Sequence, residues 1–267
     1  MIAEKSNDKA VVNYILNGNI QKINDDFRIN ITLISQYSGA LIWSQQYEYP
    51  IKTDSTLEVL HKILSNLEPQ LIKAMFSDID ASKCSSSQRQ IFEAVTMLSL
   101  QGWHQSSFVH SANLLRRSLI DEPNNALALS YLALILGLGQ RIGILDKRKE
   151  SFREAITVAE KALAIESMNS TILGLVGCAL ADLKETDRAI PILKRAIDLN
   201  PNNGQAFAAL GAANLIIGNF NETIKLLETG ISLSPADGKI AVWGTILALA
   251  YLQNRISRYC HSKSTAC

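Results

Sequence analysis

Ser170-TILGLVGCALADLKETDRAIPILKRAIDLN-Pro201 and Gly204-QAFAALGAANLIIGNFNETIKLLETGISLS-Pro235 are one pattern written twice. At an offset of 34 residues Gly177 falls on Gly211, Leu193 on Leu227, Ala196 on Gly230 and Pro201 on Pro235. Each segment reads as two amphipathic helices closed by a proline, and a period of this length marks a stack of helical hairpins. Gly177, Gly211, Ala189 and Ala196 are expected where paired helices cross, because a larger side chain there would push the axes apart. Pro201 and Pro235 fall just past a second helix, where a missing donor does no harm.

Working backward, Ala155, Ala159 and Ala162 line another second helix, whose partner is expected over Ala126 to Leu138. Pro123 to Ser167 is ten residues longer than the later period, so an insertion is expected between them. Gly137-Leu-Gly139-Gln-Arg-Ile-Gly143 has the glycine content of a dinucleotide loop. It has the wrong spacing and follows a helix where the fingerprint follows a strand, so it reads as the loop between paired helices. Residues 88–120 look like a degenerate opening repeat. Asp146 to Glu154 is the densest charge run; it reads as a solvated helix start, with Ser151 and Glu154 placed as a capping box. Forward, Ile240 to Leu252 is a first helix, while Arg255 to Cys267 lacks the small-and-leucine pattern of a partner, so the array reads as unfinished.

Before residue 80 the period changes. Phe27, Ile29, Ile31 and Leu33 alternate with Arg28, Asn30 and Thr32, which puts the apolar group on one face of a strand. Turns are expected at Asn24-Asp25-Asp26 and Gln36-Tyr37-Ser38-Gly39, and Leu41, Trp43 and Tyr47 are expected to share a face of a third strand. Tyr14 to Tyr49 therefore reads as a three-stranded antiparallel meander. Leu57, Leu60, Leu64, Leu67 and Leu71 then step by three and four, giving a helix that can cover it, with a kink or break at Pro69. Fewer than three heptads favours packing within the chain over a coiled coil. Residues 81–87 have the composition of a linker.

The two segments of the 34-residue period closely resemble the tetratricopeptide repeat, whose consensus places small residues near positions 8, 20 and 27 and proline at 32. Gly177, Ala189, Ala196 and Pro201 occupy all four in the first segment; in the second, Thr223 and Gly230 replace the alanines. Tyr14-Ile-Leu-Asn-Gly18, Arg28-Ile-Asn-Ile-Thr-Leu-Ile34 and Gly39-Ala-Leu-Ile-Trp-Ser-Gln-Gln-Tyr47 resemble landmarks of the TolB-like domain. That domain precedes such arrays in many bacterial class III adenylate cyclase homologues and winged-helix regulators. The resemblance implies that an opening strand and helix, and an effector domain, come before the point where this chain begins. It implies a regulatory tail rather than the effector.

Composition excludes several other classes. The chain of 267 residues is 47% hydrophobic and 19% charged, within the globular range. Twenty-six Lys and Arg against 25 Asp and Glu give a net charge of +1, so no overall field draws it to nucleic acid or anionic lipid. Residues 1–80 carry seven basic and ten acidic side chains, which is a mild asymmetry. No secretory signal and no run long enough to span a bilayer is visible, so a cytoplasmic protein is expected. Cys84, Cys178, Cys260 and Cys267 show no CxxC pairing and read as isolated thiols. His61, His104, His110 and His261 lack metal-ligand spacing, and phosphate-loop, serine-nucleophile and HExxH patterns are absent. No catalytic, metal or cofactor-binding residue is assigned.

The fold class expected is α+β followed by all-α: a partial TolB-like unit over 1–80, a linker over 81–87, and a tetratricopeptide-like solenoid over 88–267, best developed at 170–203 and 204–237. Stacked hairpins present their first helices on a concave face that binds protein segments. By the repeat's phase Thr171, Gly174, Cys178, Ala181 and Asp182 face that groove from one repeat, and Gln205, Ala208, Ala212, Leu215 and Ile216 from the next. The function expected is therefore a non-enzymatic interaction module for an apolar peptide or partner domain. The alternatives are a groove packed against the chain's own neighbouring domain, and a C-terminal regulatory part of a cyclase-like enzyme or winged-helix regulator. The meander is expected to leave an unpaired edge and an incompletely covered apolar face, available for self-association.

Overall fold

The structure, a computed structural model, describes residues 14–50 apart from 25 and 37, single positions at 63, 67, 71 and 74, and 85–264 apart from 101, 146–148, 235, 236 and 238. For 99, 100 and 258–264 it describes the helical backbone alone. The chain divides into two compact units between Arg89 and Gln90.

In the first unit β1 (Tyr14–Ile23), β2 (Asp26–Ser35) and β3 (Leu41–Pro50) form an antiparallel sheet in the order β1-β2-β3. Ile23 pairs with Asp26, and Asn24 takes the left-handed φ of 55° that so short a hairpin needs, a conformation Asn tolerates better than most residues. Across β2 and β3, Ile29 lies opposite Tyr47 and Leu33 opposite Trp43. Ile31 and Tyr47 are buried with Ile63, one of the helical positions 63, 67, 71 and 74. Leu57, Leu60, Leu64 and Pro69 of the expected covering helix lie outside the described residues, as do 81–84 of the linker.

One expectation on the sheet is corrected. A register shift between Leu33 and Ile34 pairs Ile34 with Leu41, so Leu41 leaves the face of Trp43 and Tyr47 and is 60% exposed. A bulge of this kind reverses the alternation beyond it. β1 is exposed along nearly its whole length, Ile15, Leu16 and Ile20 included.

The second unit is helical. Its described helices are α1 (Ser86–Leu100), α2 (Gln105–Asp121), α3 (Ala126–Arg141), α4 (Lys149–Ile165), α5 (Ser170–Asp182), α6 (Thr186–Leu199), α7 (Gly204–Ile216), α8 (Phe220–Leu233) and α9 (Ile240–Ser264). From α3 onward they pair as α3/α4, α5/α6 and α7/α8, and the first helices α3, α5 and α7 also touch in succession. The first helices are apolar nearly all round: Ile172 through Gly177 is buried without interruption in α5. The second helices bury a single stripe, such as Ala189, Leu193 and Ala196 in α6. This difference is what a two-layer stack demands, because a first helix has neighbours on three sides and a second helix faces solvent.

The small residues stand where the helices cross. A Cβ added at Gly177 would lie 2.5 Å from Leu193 Cγ, and one at Gly211 2.9 Å from Leu227 Cγ. Pro201 sits past the end of α6, as expected; Pro235 lies outside the described residues. Asn125, Asn169 and Asn203 each cap the next helix through side-chain oxygens, accepting from Ala128 N, from Thr171 N and Ile172 N, and from Ala206 N. Aligned on these caps, the ten extra residues of the earlier repeat are distributed. α3 and α4 are 16 and 17 residues long against 13 and 14 for α5 and α6, and a longer connection takes up the rest.

Four further expectations change. Gly137 and Gly139 lie buried inside α3 and not in a loop; a Cβ at Gly137 would come within 2.9 Å of the Ala179 carbonyl oxygen, so glycine there lets α3 and α5 touch. Gly143, with φ of 74°, does make the turn. Ser151 is inside α4, and Glu154 instead receives two hydrogen bonds from Arg116 of α2 at 2.7 and 2.8 Å. A capping box occurs at the start of α1, where Ser85 Oγ accepts from Gln88 N and Gln88 Oε1 from Ser85 N. Ser86 and Ser87, read as linker, therefore open α1. Finally, α9 continues for 25 residues to Ser264 instead of ending near Leu252.

Candidate functional site

The inner wall of the helical unit is made by α3, α5 and α7, and the start of α9 lies across it. Together with Trp103, which precedes α2, they enclose a hollow of about 370 Å³ including its open mouth. Leu134, Leu138 and Arg141 come from α3, Cys178 and Asp182 from α5, Gln205, Ala208, Ala209 and Ala212 from α7, and Val242, Trp243 and Ile246 from α9. Alanines on α7 create the space: Trp243 and Ile246 are buried in one cluster with Ala208 and Leu227, where a larger residue at 208 would fill the gap. Trp103 is held edge-on to buried Phe108, with ring centroids 6.1 Å apart. Lys239, ahead of α9, stands 5.8 Å from the centre of the Trp243 ring and pairs with Asp237 at 3.1 Å.

Few polar groups enter this apolar wall, and they are poorly satisfied. Asp182 ends α5 and meets Arg141, which ends α3, at 2.8 Å. Its side chain is only 5% exposed, and its second oxygen, Oδ2, has no hydrogen-bond partner in the protein. Burial pushes its pKa up to about 6 in spite of the opposing pull of Arg141. Gln205 meets the Cys178 thiol through its side-chain amide, and beyond that contact its buried amide oxygen and nitrogen have no hydrogen-bond partner within the protein. Burial, reinforced by the nearby Asp182 carboxylate, pushes the Cys178 thiol upward and keeps it protonated. The site thus offers an acceptor at Asp182, a donor and an acceptor at Gln205, and aromatic and aliphatic surface around them.

Of the groove residues read from the repeat's phase, the structure brings Cys178, Asp182, Gln205, Ala208 and Ala212 into one lining. It leaves three aside. Thr171 is exposed on the first turn of α5, Gly174 is buried beneath the Asn203 side chain, and Leu215 packs with the cluster around Trp243. Ala181 is buried in the main core and Ile216 is exposed at the end of α7. The lining from α3 was missed, although the capping asparagines carry its signal: counted from Asn125, Asn169 and Asn203, Leu134 matches Cys178 and Ala212, and Leu138 matches Asp182. Trp103 and Trp243 lie outside the clear repeats and had no such signal. Among the described residues no group of three or more His, Cys, Asp or Glu is placed to hold a metal ion.

The segment that forms α5, α6 and the turn to α7 carries the decisive comparison. Residues 170–203 match the tetratricopeptide repeat. This repeat supplies Cys178 and Asp182 to the hollow, and its closing residue is the capping Asn203. No curated protein matches the chain. Similar solved structures include a crystal structure of MamA protein, 20% identical, covering 66% of this chain and 87% of that one at a TM-score of 0.41. Another is PilF of Pseudomonas aeruginosa, 20% identical, covering 64% of this chain and 69% of that one at 0.45. MamA from Desulfovibrio magneticus RS-1 is 16% identical, with 68% and 98% covered, at 0.40. Among the described residues no helix is long and apolar enough to cross a membrane.

Proposed function

We propose that the chain is a non-enzymatic protein-interaction and regulatory module that takes an extended peptide of a partner protein into the hollow between its first helices. The reading rests on the unpaired polar atoms of Gln205 and Asp182 in an otherwise apolar wall. Each such group left without a partner costs about 1–3 kcal/mol, and a peptide unit offers the donor and acceptor that a glutamine amide complements. Cys178, Ala208 and Ala212 shape its floor, while Thr171, Gly174 and Leu215 extend the same helices to either side. The cytoplasm is the compartment this reading favours.

Selection of phage-displayed dodecapeptides on the wild-type chain tests it. The expected outcome is a family sharing one apolar residue, lost on Ala208→Arg and weakened at least tenfold by Gln205→Leu. Peptides held equally by all three proteins would remove the hollow from consideration.

A second reading, a C-terminal regulatory part of an adenylate cyclase-like enzyme or winged-helix regulator, draws support from the meander, whose strands contain the three TolB-like motifs at β1, β2 and β3. Genomic sequence directly upstream decides it: an in-frame cyclase or winged-helix region supports this reading, and an unrelated reading frame removes it.

A further inference from the structure

The last described helix, α9, buries Trp243, Ile246 and Ala250 toward the preceding hairpin. Its contacts with α8 run antiparallel, Tyr251 Oη donating to Glu228 and Asn254 to Asn221 Oδ1 near the start of α8. Another face stays open. Thr245 is exposed, and Leu249, Leu252 and Ile256 are 46%, 53% and 47% exposed, spaced by three and four along the helix. Carried one period further, Gly211 and Leu215 of α7 fall on Thr245 and Leu249 of α9. On α7 that face meets its own second helix, with Gly211 against Leu227 and Thr223; on α5, Gly177 meets Leu193 of α6 in the same way. Thr245 thus stands where α5 and α7 each meet a second helix, and Leu249, Leu252 and Ile256 continue the stripe.

Charge narrows the occupant. The 25 residues of α9 contain Arg255, Arg258 and Lys263, all in its C-terminal half, and no Asp or Glu. A second copy of α9 laid antiparallel would bring its own first turns, which hold no acidic residue, beside this basic end and leave it without a counter-charge. In the α7/α8 hairpin the second helix begins beside the end of the first, and the acidic residue of the first turn of α8, Glu222, is at that end.

We infer that the Thr245–Leu249–Leu252–Ile256 face of α9 receives an amphipathic helix from a partner protein, laid antiparallel in the second-helix position. That helix carries leucine or isoleucine along its stripe and acidic residues in its first turns. Helix-in-groove recognition of this kind is read as anchors at i, i+3 or i+4, and i+7. Exposed apolar stripes with a charged flank mark such sites.

The probe is a labelled peptide with the sequence of residues 218–234 of this chain, because α8 is the helix that covers the matching face of α7. Fluorescence anisotropy on the full chain should show saturable binding that falls at least tenfold with Leu252→Asp, an exposed position where folding is checked by circular dichroism. A peptide carrying Lys225→Glu should bind several-fold more tightly at low salt, with the gain lost at high salt. No saturable binding, equal affinity for Leu252→Asp, or equal affinity of the two peptides at low salt overturns the proposal. So does sedimentation equilibrium showing a dimer that Leu252→Asp dissociates, because the occupant would then be a second copy.

Discussion

At the scale of single residues, the glycines separate into those that hold helices together and those that only loosen them. Gly137 faces the Ala179 backbone, which cannot swing aside, whereas nothing lies within 4 Å of a Cβ added at Gly244. Gly137→Ala should therefore destabilise the helical unit by about 1–3 kcal/mol through overpacking. Gly244→Ala should stabilise it by about 0.5–1 kcal/mol through helix propensity. Urea unfolding of both variants reads the opposite signs.

Asp182 adds a pH dependence. Its folded carboxyl keeps its proton to about pH 6, while an unfolded one loses it near pH 4. The native state is favoured below the lower value, and this advantage disappears as pH rises through the upper one, a change of about 3 kcal/mol. The Tm of the wild type relative to Asp182→Asn should accordingly fall between pH 4 and pH 6.5; a constant difference would show that the carboxyl titrates normally. Arg141 and the Cys178 thiol are the ionisable groups beside it. These two effects were unequally legible. Gly177 and Gly211 could be read as crossing points because both recur in the period. Gly137 was placed in a loop, since its contact lies across repeats where no spacing shows it.

At the scale of elements, the caps set the frame. Asn203 accepts from Ala206 N and also donates to Ser170 O and Oγ at 3.0 and 2.9 Å, tying the start of α7 to the start of α5. Asn203→Ala should cost about 1–2 kcal/mol, and Asn203→Asp less, because Asp retains the cap but not the donor. Differential scanning calorimetry of both orders the losses. Local signals served well where one element contains all the information: alternation located the strands, and a proline marked the end of α6. They failed where a partner decides the outcome. Leu41 changed face because of a bulge on pairing with β2, and Glu154 left its expected cap for Arg116 on another helix. The α9 helix runs past Leu252 although the small-and-leucine pattern stops, because helical backbone does not require that pattern and only packing on a partner does.

At the scale of the whole molecule, the boundary between two compact units falls within the α1 sequence, and each unit keeps its own core. In the helical unit the buried residues concentrate on α3, α5 and α7, while α9 past Tyr251 is exposed at every described side chain except the half-buried Asn254. Stability in a stack of repeats follows nearest-neighbour contacts. Hydrogen exchange should therefore be slowest in α5 and α7 and faster by orders of magnitude beyond residue 254; uniform protection along α9 would contradict this. Fold class was readable from the sequence because period and alternation are properties of the chain alone. The hollow was half readable: the phase of the two clear repeats found Cys178, Asp182, Gln205, Ala208 and Ala212. It missed Trp103 and Trp243, which lie outside the clear repeats, and the α3 lining, whose matching phase emerges only when the capping asparagines are aligned.

The bond from Asn203 to Ser170 has an architectural meaning. It joins the opening residues of adjacent units, and Asn169 occupies the same place one unit earlier. A gene with an in-frame duplication of codons 170–203 would present asparagine to serine at the new seam as at the old, so the spiral could lengthen by a rung without redesign. A copy of the longer unit ahead of it, with its stretched helices, carries no such matched seam.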